Sequence, residues 1–258
     1  IGQTEAPILI RPYISLMTKS ELMAVMVGGF ATVAGSVMAL YVTWLNNIPG
    51  IAGHLLAASV MSAPAALMVA KIIYPENKQL KTIKPDKISL KSNDNNIVDA
   101  VGRGATEGLK LAANVAAMLI AFISMVAMIN FALGLLGTSM QEILGLLFKP
   151  LAWTMGIPWK DAEIVGVLLG EKIVLTELIA FRDLSDYVAK NILSERSIII
   201  TSYALCGFAN FGSIGIQLGG IGSMAPERKK DLSRIVFKAM LGGAIASWLT
   251  ASIVGIII

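Results

Sequence analysis

Five long stretches of this chain carry no charged side chain, and they restrict its fold more than any other feature. The stretches are Leu22–Leu45, Ile48–Ala70, Leu111–Gln141, Ser197–Pro226 and Ala239–Ile258. A helix of about 20 apolar residues crosses a hydrocarbon core of roughly 30 Å. Charged residues make up 15% of the chain, against about 25% in soluble domains. We therefore expect an all-α integral membrane protein.

Several classes of site and enzyme are disfavoured by residues that the sequence lacks. Cys206 is the only cysteine, so no disulfide can form within the chain. His54 is the only histidine, whereas most metal sites use several ligands. We interpret it as a packed or pore-facing polar group. The sequence also lacks the metalloprotease, serine-hydrolase and nucleotide-binding motifs. We therefore do not expect an enzyme.

Two basic segments predict the orientation of the spans. Residues Lys71–Lys91 contain six lysines, and Pro226–Lys238 contains five basic side chains. An excess of lysine and arginine near the ends of spans marks the cytoplasmic side of a membrane. We expect loops 71–103 and 226–238 to be cytoplasmic. The interval from Gly134 to Arg196 must then begin and end outside.

That interval contains two apolar pieces that are too short to cross a membrane, Glu163–Gly170 and Ile173–Phe181. Together they predict a re-entrant hairpin, a structure tolerated where it is buried in protein or lines a cavity. We interpret Glu171, beside Lys172, as part of a local ion pair or as the hairpin tip. Residues Ile1–Tyr13 are predicted to be the second limb of a similar hairpin.

Residues Asn96–Lys110 have the pattern of an amphipathic helix. Their charged side chains recur at helical spacing, at Asp99, Arg103, Glu107 and Lys110. A helix at the cytoplasmic membrane interface and a solvated helix in a linker both agree with this pattern.

An internal repeat links the two halves of the chain. GGFATVAGSV at residues 28–37 resembles CGFANFGSIG at residues 206–215. Each copy follows a Thr-Glu pair within an apolar limb, Thr4-Glu5 and Thr176-Glu177. The predicted topology gives the two copies opposite orientations. This pattern is typical of an inverted-repeat secondary transporter with two re-entrant hairpins and broken transmembrane helices.

The repeat divides the chain into three parts. Residues 1–75 form the first repeat, with a hairpin limb and two spans. Residues 76–135 form a cytoplasmic linker, an interfacial helix and a scaffold span. Residues 136–258 form the second repeat, with a re-entrant hairpin and two spans. Because the chain starts without Met inside an apolar element, we expect it to be part of a longer protein.

Two glutamates are the strongest candidates for the site. Acidic residues in membrane segments are costly and usually mark a pathway, and Glu5 and Glu177 occupy matching positions in the two repeats. Placement in an interfacial loop is the alternative. Two unpaired carboxylates would repel an anion, so we expect a neutral polar or cationic solute. Glycines in mid-span weaken a helix and free backbone groups for binding, although they also allow close helix packing.

Five segments, in their order along the chain, resemble the concentrative nucleoside transporter family. They are GQTEAP at residues 2–7, TVAGSV at 32–37, SAPAALMVAKIIYPE at 62–76, TELIAF at 176–181 and GFANFGSIGIQLGGIG at 207–222. The resemblance extends through the whole chain. It implies the C-terminal fragment of a bacterial member, starting at the first re-entrant hairpin.

The resemblance implies an ion-coupled nucleoside importer, a homotrimer in the cell (inner) membrane, with alternating access around a site at the midplane. The span Leu111–Leu133 would belong to the scaffold that trimerises. The first hairpin and Val37 would bind the nucleobase, and the second hairpin with the broken span after it would bind the ribose. The implied substrate-binding residues are Gly2, Gln3, Thr4, Glu5, Val37, Glu177, Phe208, Asn210 and Ser213.

The resemblance also implies a sodium site between the first hairpin tip and the following broken span. Its ligands would be the Ile1 carbonyl, the Thr32 hydroxyl and the Val33 carbonyl. Sodium is favoured because Thr32 offers an oxygen donor, and proton coupling is the alternative. A carrier of another neutral polar solute, such as a nucleobase, and a channel are the competing functions.

Overall fold

The computed structural model describes residues 2, 3, 5–77 and 96–258, apart from the side chains of Leu111, Val115 and Met118. Every regular element in these ranges is helical, which confirms the all-α prediction. The α-helices are α1 (Glu5–Leu9), α2 (Arg11–Ile14), α3 (Lys19–Ala31), α4 (Gly35–Trp44), α5 (Ile51–Ile73), α6 (Ile97–Gly134), α7 (Met140–Thr154), α8 (Trp159–Val174), α9 (Glu177–Ala189), α10 (Glu195–Leu205), α11 (Phe211–Met224) and α12 (Lys229–Ile257), with a short 3-10 turn at Pro226–Arg228.

Within the described residues, four helical segments are long and apolar enough to cross a membrane. They are Lys19–Trp44, Ile51–Ile73, Ile97–Gly134 and Pro226–Ile257. The fifth uncharged stretch, Ser197–Pro226, is divided between two shorter helices. The chain is therefore a multi-pass membrane protein, as the uncharged stretches predicted.

Two of the predicted spans are interrupted at the repeated sequence. Helices α3 and α4 are separated by Thr32–Ala34, and helices α10 and α11 are separated by Cys206–Asn210. Each interruption leaves backbone groups without partners in the helix that ends there. The prediction of broken transmembrane helices is thus confirmed in both copies of the repeat.

Helices α8 and α9 form the two limbs of the predicted hairpin, and their turn lies at Leu175–Thr176. The Thr176 hydroxyl accepts a hydrogen bond from the Ile179 backbone N–H at the start of α9. Glu171 and Lys172 lie inside α8 and not at the tip. Lys172 bonds oxygens of α12 and of the end of α10 instead of Glu171. Both interpretations of the Glu171–Lys172 pair were therefore wrong, because Lys172 points into the protein.

Helix α7 supports this hairpin along α8 through close backbone contact. A Cβ added to Gly166 would lie 2.5 Å from the Gly145 carbonyl oxygen, and one added to Gly170 would lie 2.6 Å from the Gln141 carbonyl oxygen. Small residues allow helix backbones to approach in this way. The sequence pattern did not predict α7 as a separate helix.

Helix α6 joins two elements that the sequence treated separately. The predicted amphipathic helix and the span Leu111–Leu133 form one continuous helix of 38 residues. Asn96 caps its first turn, because the Asn96 side chain accepts a hydrogen bond from the Asp99 backbone N–H at 2.8 Å.

The two interrupted spans touch near their breaks. Helix α12 packs against α3, α5, α10 and α11 and so connects both copies of the repeat. Gly207 follows the end of α10 with a positive φ of 113°, a conformation that favours glycine. A Cβ at this position would lie 2.7 Å from the Ala31 carbonyl oxygen at the end of α3. This contact brings the two breaks together.

Candidate functional site

Glu177 is the buried acidic group between the two interrupted spans. It begins helix α9 and its side chain is 2% exposed. One carboxylate oxygen accepts a hydrogen bond from Asn210 Nδ2 at 3.0 Å, and the other accepts one from the Tyr41 hydroxyl at 3.3 Å. The expectation of an unpaired carboxylate is therefore wrong for Glu177, because both interrupted spans donate to it.

Asn210 connects the second break to the hairpin. Its side-chain oxygen accepts a hydrogen bond from the Ser213 backbone N–H at 2.7 Å and so caps helix α11. The amide nitrogen is then free to donate to Glu177. One side chain thereby satisfies a helix N-terminus, as N-cap residues do, and orients the carboxylate.

Gln3 brings the first hairpin to the same place. Its side chain is 7% exposed, and its Nε2 donates to the Ser213 hydroxyl at 3.1 Å. Gln217, one turn further along α11, donates to the Gln3 oxygen at 3.4 Å and to the Met26 carbonyl oxygen at 3.0 Å. The amide of Gln3 is thus held at both ends.

A continuous chain of polar contacts results, and it passes through elements of both repeats. It begins at Gln217, passes through Gln3, the hydroxyl and backbone of Ser213, Asn210 and Glu177, and ends at the Tyr41 hydroxyl. Val37 and Phe208 are half-buried and pack against the same hydrophobic core cluster. Amides, a hydroxyl and a carboxylate beside apolar walls suit a ligand with an apolar body and several polar groups.

Among the residues that the structure describes, Glu5 lies apart from this series of polar contacts. It is exposed in the first turn of α1. Its carboxylate folds back on Gly2, where an added Cβ would lie 3.0 Å from the Glu5 carboxyl carbon. Gly2 itself is half-buried. Thr4, from the same predicted set, lies outside the described residues. The role of Glu5 in binding stays a prediction.

The first break offers neutral oxygen atoms of the kind predicted for a sodium site. The Thr32 hydroxyl donates to the Gly28 carbonyl oxygen at 2.9 Å, which leaves its lone pairs for a cation. Val33 is buried in the non-helical segment. Carbonyls of unwound helices coordinate sodium in secondary transporters, so the donor set fits a hard cation. The third predicted ligand, Ile1, lies outside the described residues.

Sequence reasoning missed three buried polar residues at the site. Tyr41 stacks on Phe181 with ring centroids 3.9 Å apart, and its spacing of four residues from Val37 was the available signal. Gln217 stands four residues after Ser213 in an uncharged stretch. Lys172 is fully buried, and the sequence shows this cation between two apolar pieces, where it was interpreted only as part of a local ion pair or of the hairpin tip.

His54 belongs to a separate contact on α5. Its Nδ1 lies 3.2 Å from the Tyr203 hydroxyl, and the two rings meet edge to face. This contact agrees with the interpretation of His54 as a packed polar group.

These features define a class of protein, a helical multi-pass membrane protein with a buried polar site between two interrupted spans. Residues 54–255 match the family model described as "Na+ dependent nucleoside transporter C-terminus". The chain belongs to this family, which confirms the resemblance found in the sequence. The family and the relatives described next are transporters, as expected, and not enzymes.

The curated relatives are longer proteins. The chain is 44% identical to Sodium/nucleoside cotransporter 1 of Mus musculus, and the match covers 100% of this chain and 42% of that protein. It is 41% identical to the uncharacterized transporter YutK of Bacillus subtilis, with 100% of this chain and 64% of that protein covered. The chain thus spans less than half of the mouse relative.

Solved structures of CNTnw share the fold in more than one state. A doubly substituted CNTnw in an outward-facing state has a TM-score of 0.88 and 42% identity, with 100% of this chain and 62% of that chain covered. CNTnw in an inward-facing substrate-bound state has a TM-score of 0.78 and 44% identity, with 99% and 62% covered. By TM-score, the structure of this chain is therefore more similar to that outward-facing structure than to the inward-facing one.

Proposed function

We propose that the full-length protein imports nucleosides together with sodium by alternating access. The observation that carries this proposal is the buried carboxylate of Glu177, which receives one donor from each interrupted span. A carboxylate so placed accepts hydrogen bonds from the hydroxyls of a ribose. The same negative charge repels the phosphate of a nucleotide, so the neutral nucleoside is the favoured cargo.

The two ends of the polar chain correspond to two parts of a nucleoside. Glu177, Asn210 and Ser213 would bind the ribose hydroxyls, with Phe208 beside them. Gln3 would present its amide to the edge of the base. The remaining members of the base subsite would be Gly2, Thr4, Glu5 and Val37. A site built to bond a hydroxyl strongly rejects an analogue that lacks it, because a buried polar group is then left unpaired.

Sodium would be the coupling ion and would bind at the first break through Thr32, Val33 and Ile1. The family description supports this assignment, since it names sodium dependence. The neutral oxygen donors at Thr32 and Val33 support it physically. A cation there would lie at the C-terminal end of α3, where the helix dipole is negative.

The remaining features extend the same proposal to the whole assembly. Loops 71–103 and 226–238 would face the cytoplasm, and the membrane would be the cell (inner) membrane. The two hairpins and the two broken spans would form the moving part around the site. Residues 76–135 would contribute to the scaffold of a homotrimer. The exposed apolar side chains of α6, such as Phe131, support contact with lipid or with other copies.

The direct test is uptake of radiolabelled uridine by the full-length protein in cells that lack their own nucleoside carriers. Wild-type uptake should saturate, collapse when choline replaces sodium, and persist with a protonophore. Glu177→Gln and Glu5→Gln should each reduce uptake at least tenfold. Glu163→Gln is the matched control, because Glu163 lies in the same hairpin but is exposed and paired with Lys149.

The outcomes separate the competing functions. Non-saturating uridine flux that ignores sodium would indicate a channel. Uptake of free uracil that Glu177→Gln leaves unchanged would indicate a nucleobase carrier. Uptake that stops with the protonophore and continues in choline would indicate proton coupling. Wild-type uridine uptake in both glutamate variants would overturn the site assignment.

A further inference from the structure

Lys172 is a fully buried cation in the last turns of helix α8. Its ammonium nitrogen lies 2.8 Å from the Ala204 carbonyl oxygen, 3.4 Å from the Cys206 carbonyl oxygen and 2.9 Å from the Ser247 hydroxyl oxygen. An ammonium group has three donors and no acceptor. Its three hydrogens therefore match three oxygens supplied by two other elements of the protein.

The partners require the protonated form of the amine. Two of them are backbone carbonyls, which only accept hydrogen bonds. The third, Ser247, has its own hydrogen within reach of the Gly243 carbonyl oxygen at 3.0 Å and the Ala244 carbonyl oxygen at 3.2 Å. A Lys172 that donates to all three oxygens uses all three N–H groups and carries a positive charge.

The positive charge lies where α10, the first half of the second interrupted span, ends. Ala204 belongs to the last turn of α10 and Cys206 is its C-cap. Carbonyls at a helix C-terminus lack partners in the helix and carry the negative end of its dipole. The ammonium thus lies where the negative end of the α10 dipole favours a cation.

The first repeat also places oxygen atoms at the end of a half-span. Thr32 is the C-cap of α3, as Cys206 is the C-cap of α10. The oxygens there are the Thr32 hydroxyl and the Val33 carbonyl, to which the proposed function assigns sodium. Both repeats therefore place oxygen donors at the C-terminal end of the first half of a broken span.

We propose that the Lys172 ammonium is a tethered cation at the C-terminal end of α10, just as the proposed function places a sodium ion at the C-terminal end of α3. It is a positioning residue for the ribose subsite, because it holds the segment Cys206–Asn210 against the hairpin that carries Glu177. The comparison with sodium rests on the proposed function. The binding of a cation by the three oxygens around Lys172 does not.

Chemical rescue tests the proposal in the purified full-length protein. Lys172→Ala removes three carbons and the nitrogen, so propylammonium replaces the lost group. The unfolding temperature of Lys172→Ala should fall by several degrees, and millimolar propylammonium should restore at least half of the loss. Sodium should restore part of it, and choline, which is too large, should restore none. Lys149→Ala is the control, because Lys149 pairs with Glu163 near the surface.

Uptake provides the second readout. Lys172→Ala should reduce sodium-driven uridine uptake at least tenfold, mainly through a higher KM, with recovery in propylammonium. Lys172→Arg, which keeps the charge, should retain more uptake than Lys172→Met, which keeps only the length. If Lys172→Ala cannot be purified, the comparison of Lys172→Arg with Lys172→Met decides the question.

Three results would overturn the proposal. They are wild-type stability and uptake in Lys172→Met, an unfolding temperature of Lys172→Ala that no cation raises, and equal uptake in the Arg and Met variants. Failure of the proposed function is seen separately. In that case the wild type takes up no uridine, while the rescue of stability by propylammonium still decides whether the oxygens around Lys172 bind a cation.

Discussion

Replacing Tyr41 with phenylalanine tests one hydrogen bond of the site, the one from the Tyr41 hydroxyl to Glu177. The change removes the hydroxyl that donates to Glu177 at 3.3 Å and keeps the ring that stacks on Phe181. Hydrogen bonds to charged groups contribute about 1.5–3 kcal/mol. The distance is long for an O–H···O contact, so we expect about 1–1.5 kcal/mol. This corresponds to a five- to tenfold weaker affinity for uridine.

Equilibrium binding of uridine to the purified full-length protein measures this effect. Tyr203→Phe is a matched control, because it also removes a buried hydroxyl, one that lies 3.2 Å from His54, away from Glu177. The control should lower the unfolding temperature but leave uridine affinity within twofold. An analogue that lacks the ribose hydroxyls should bind wild type and Tyr41→Phe equally.

A double-mutant cycle shows whether Tyr41 acts through the carboxylate. If it does, adding Tyr41→Phe to Glu177→Gln should cost much less than Tyr41→Phe costs alone, because contacting residues are not additive. Unchanged affinity in Tyr41→Phe would refute the reasoning. So would a loss of the same size in Tyr203→Phe, or full additivity with Glu177→Gln.

Three further predictions concern the backbone, the first break and the first turn of α8. Gly207→Ala should abolish folding or uptake, since its Cβ would meet the Ala31 carbonyl oxygen at 2.7 Å and φ is positive. Gly28→Ala should change the unfolding temperature little, because the added Cβ has open space around it in α3. Equal stability of both variants would contradict this expectation. Thr32→Val should raise the sodium concentration for half-maximal uptake at least fivefold, and an unchanged sodium curve would count against the ion site. Burial favours a raised pKa for Asp161, but hydrogen bonds from two serines outweigh it and lower the pKa below its usual value. The stabilising effect of the Asp161 carboxylate should therefore be complete above the unfolded-state pKa of about 4 and be lost as the pH falls through the folded-state pKa. Asp161→Asn should lower the unfolding temperature at pH 7, and the unfolding temperatures of the variant and the wild type should converge in acid. Identical unfolding temperatures at pH 7 would refute this prediction.

The architecture followed from local features of the sequence. Uncharged stretches predicted membrane spans because a hydrocarbon core excludes charge, whatever the neighbours are. The repeat GGFATVAGSV and CGFANFGSIG predicted two breaks, and both appear, at Thr32–Ala34 and Cys206–Asn210. Short apolar pieces predicted the hairpin α8–α9. Each of these signals depends on a residue and its immediate surroundings.

The hairpin tip and the linker were predicted less well. Charge at Glu171 and Lys172 suggested a local ion pair or the hairpin tip, but the turn comes later, at Leu175–Thr176. A buried lysine satisfied by distant carbonyls looks the same in sequence as an exposed one. The junction near Lys110 also gave no signal, because an amphipathic helix and an apolar span have the same helical period.

By itself the sequence determined the family, the helical class, the breaks and the candidates Glu177, Asn210 and Ser213, because these are set by composition and local motif. Only the tertiary structure decided which groups meet. Tyr41 donates to Glu177 across 136 positions of sequence, Gln3 reaches Ser213 across 210, and Lys172 reaches Ser247 across 75. Such pairings depend on how the helices pack, since a buried polar group takes whichever partner the fold brings within hydrogen-bond distance.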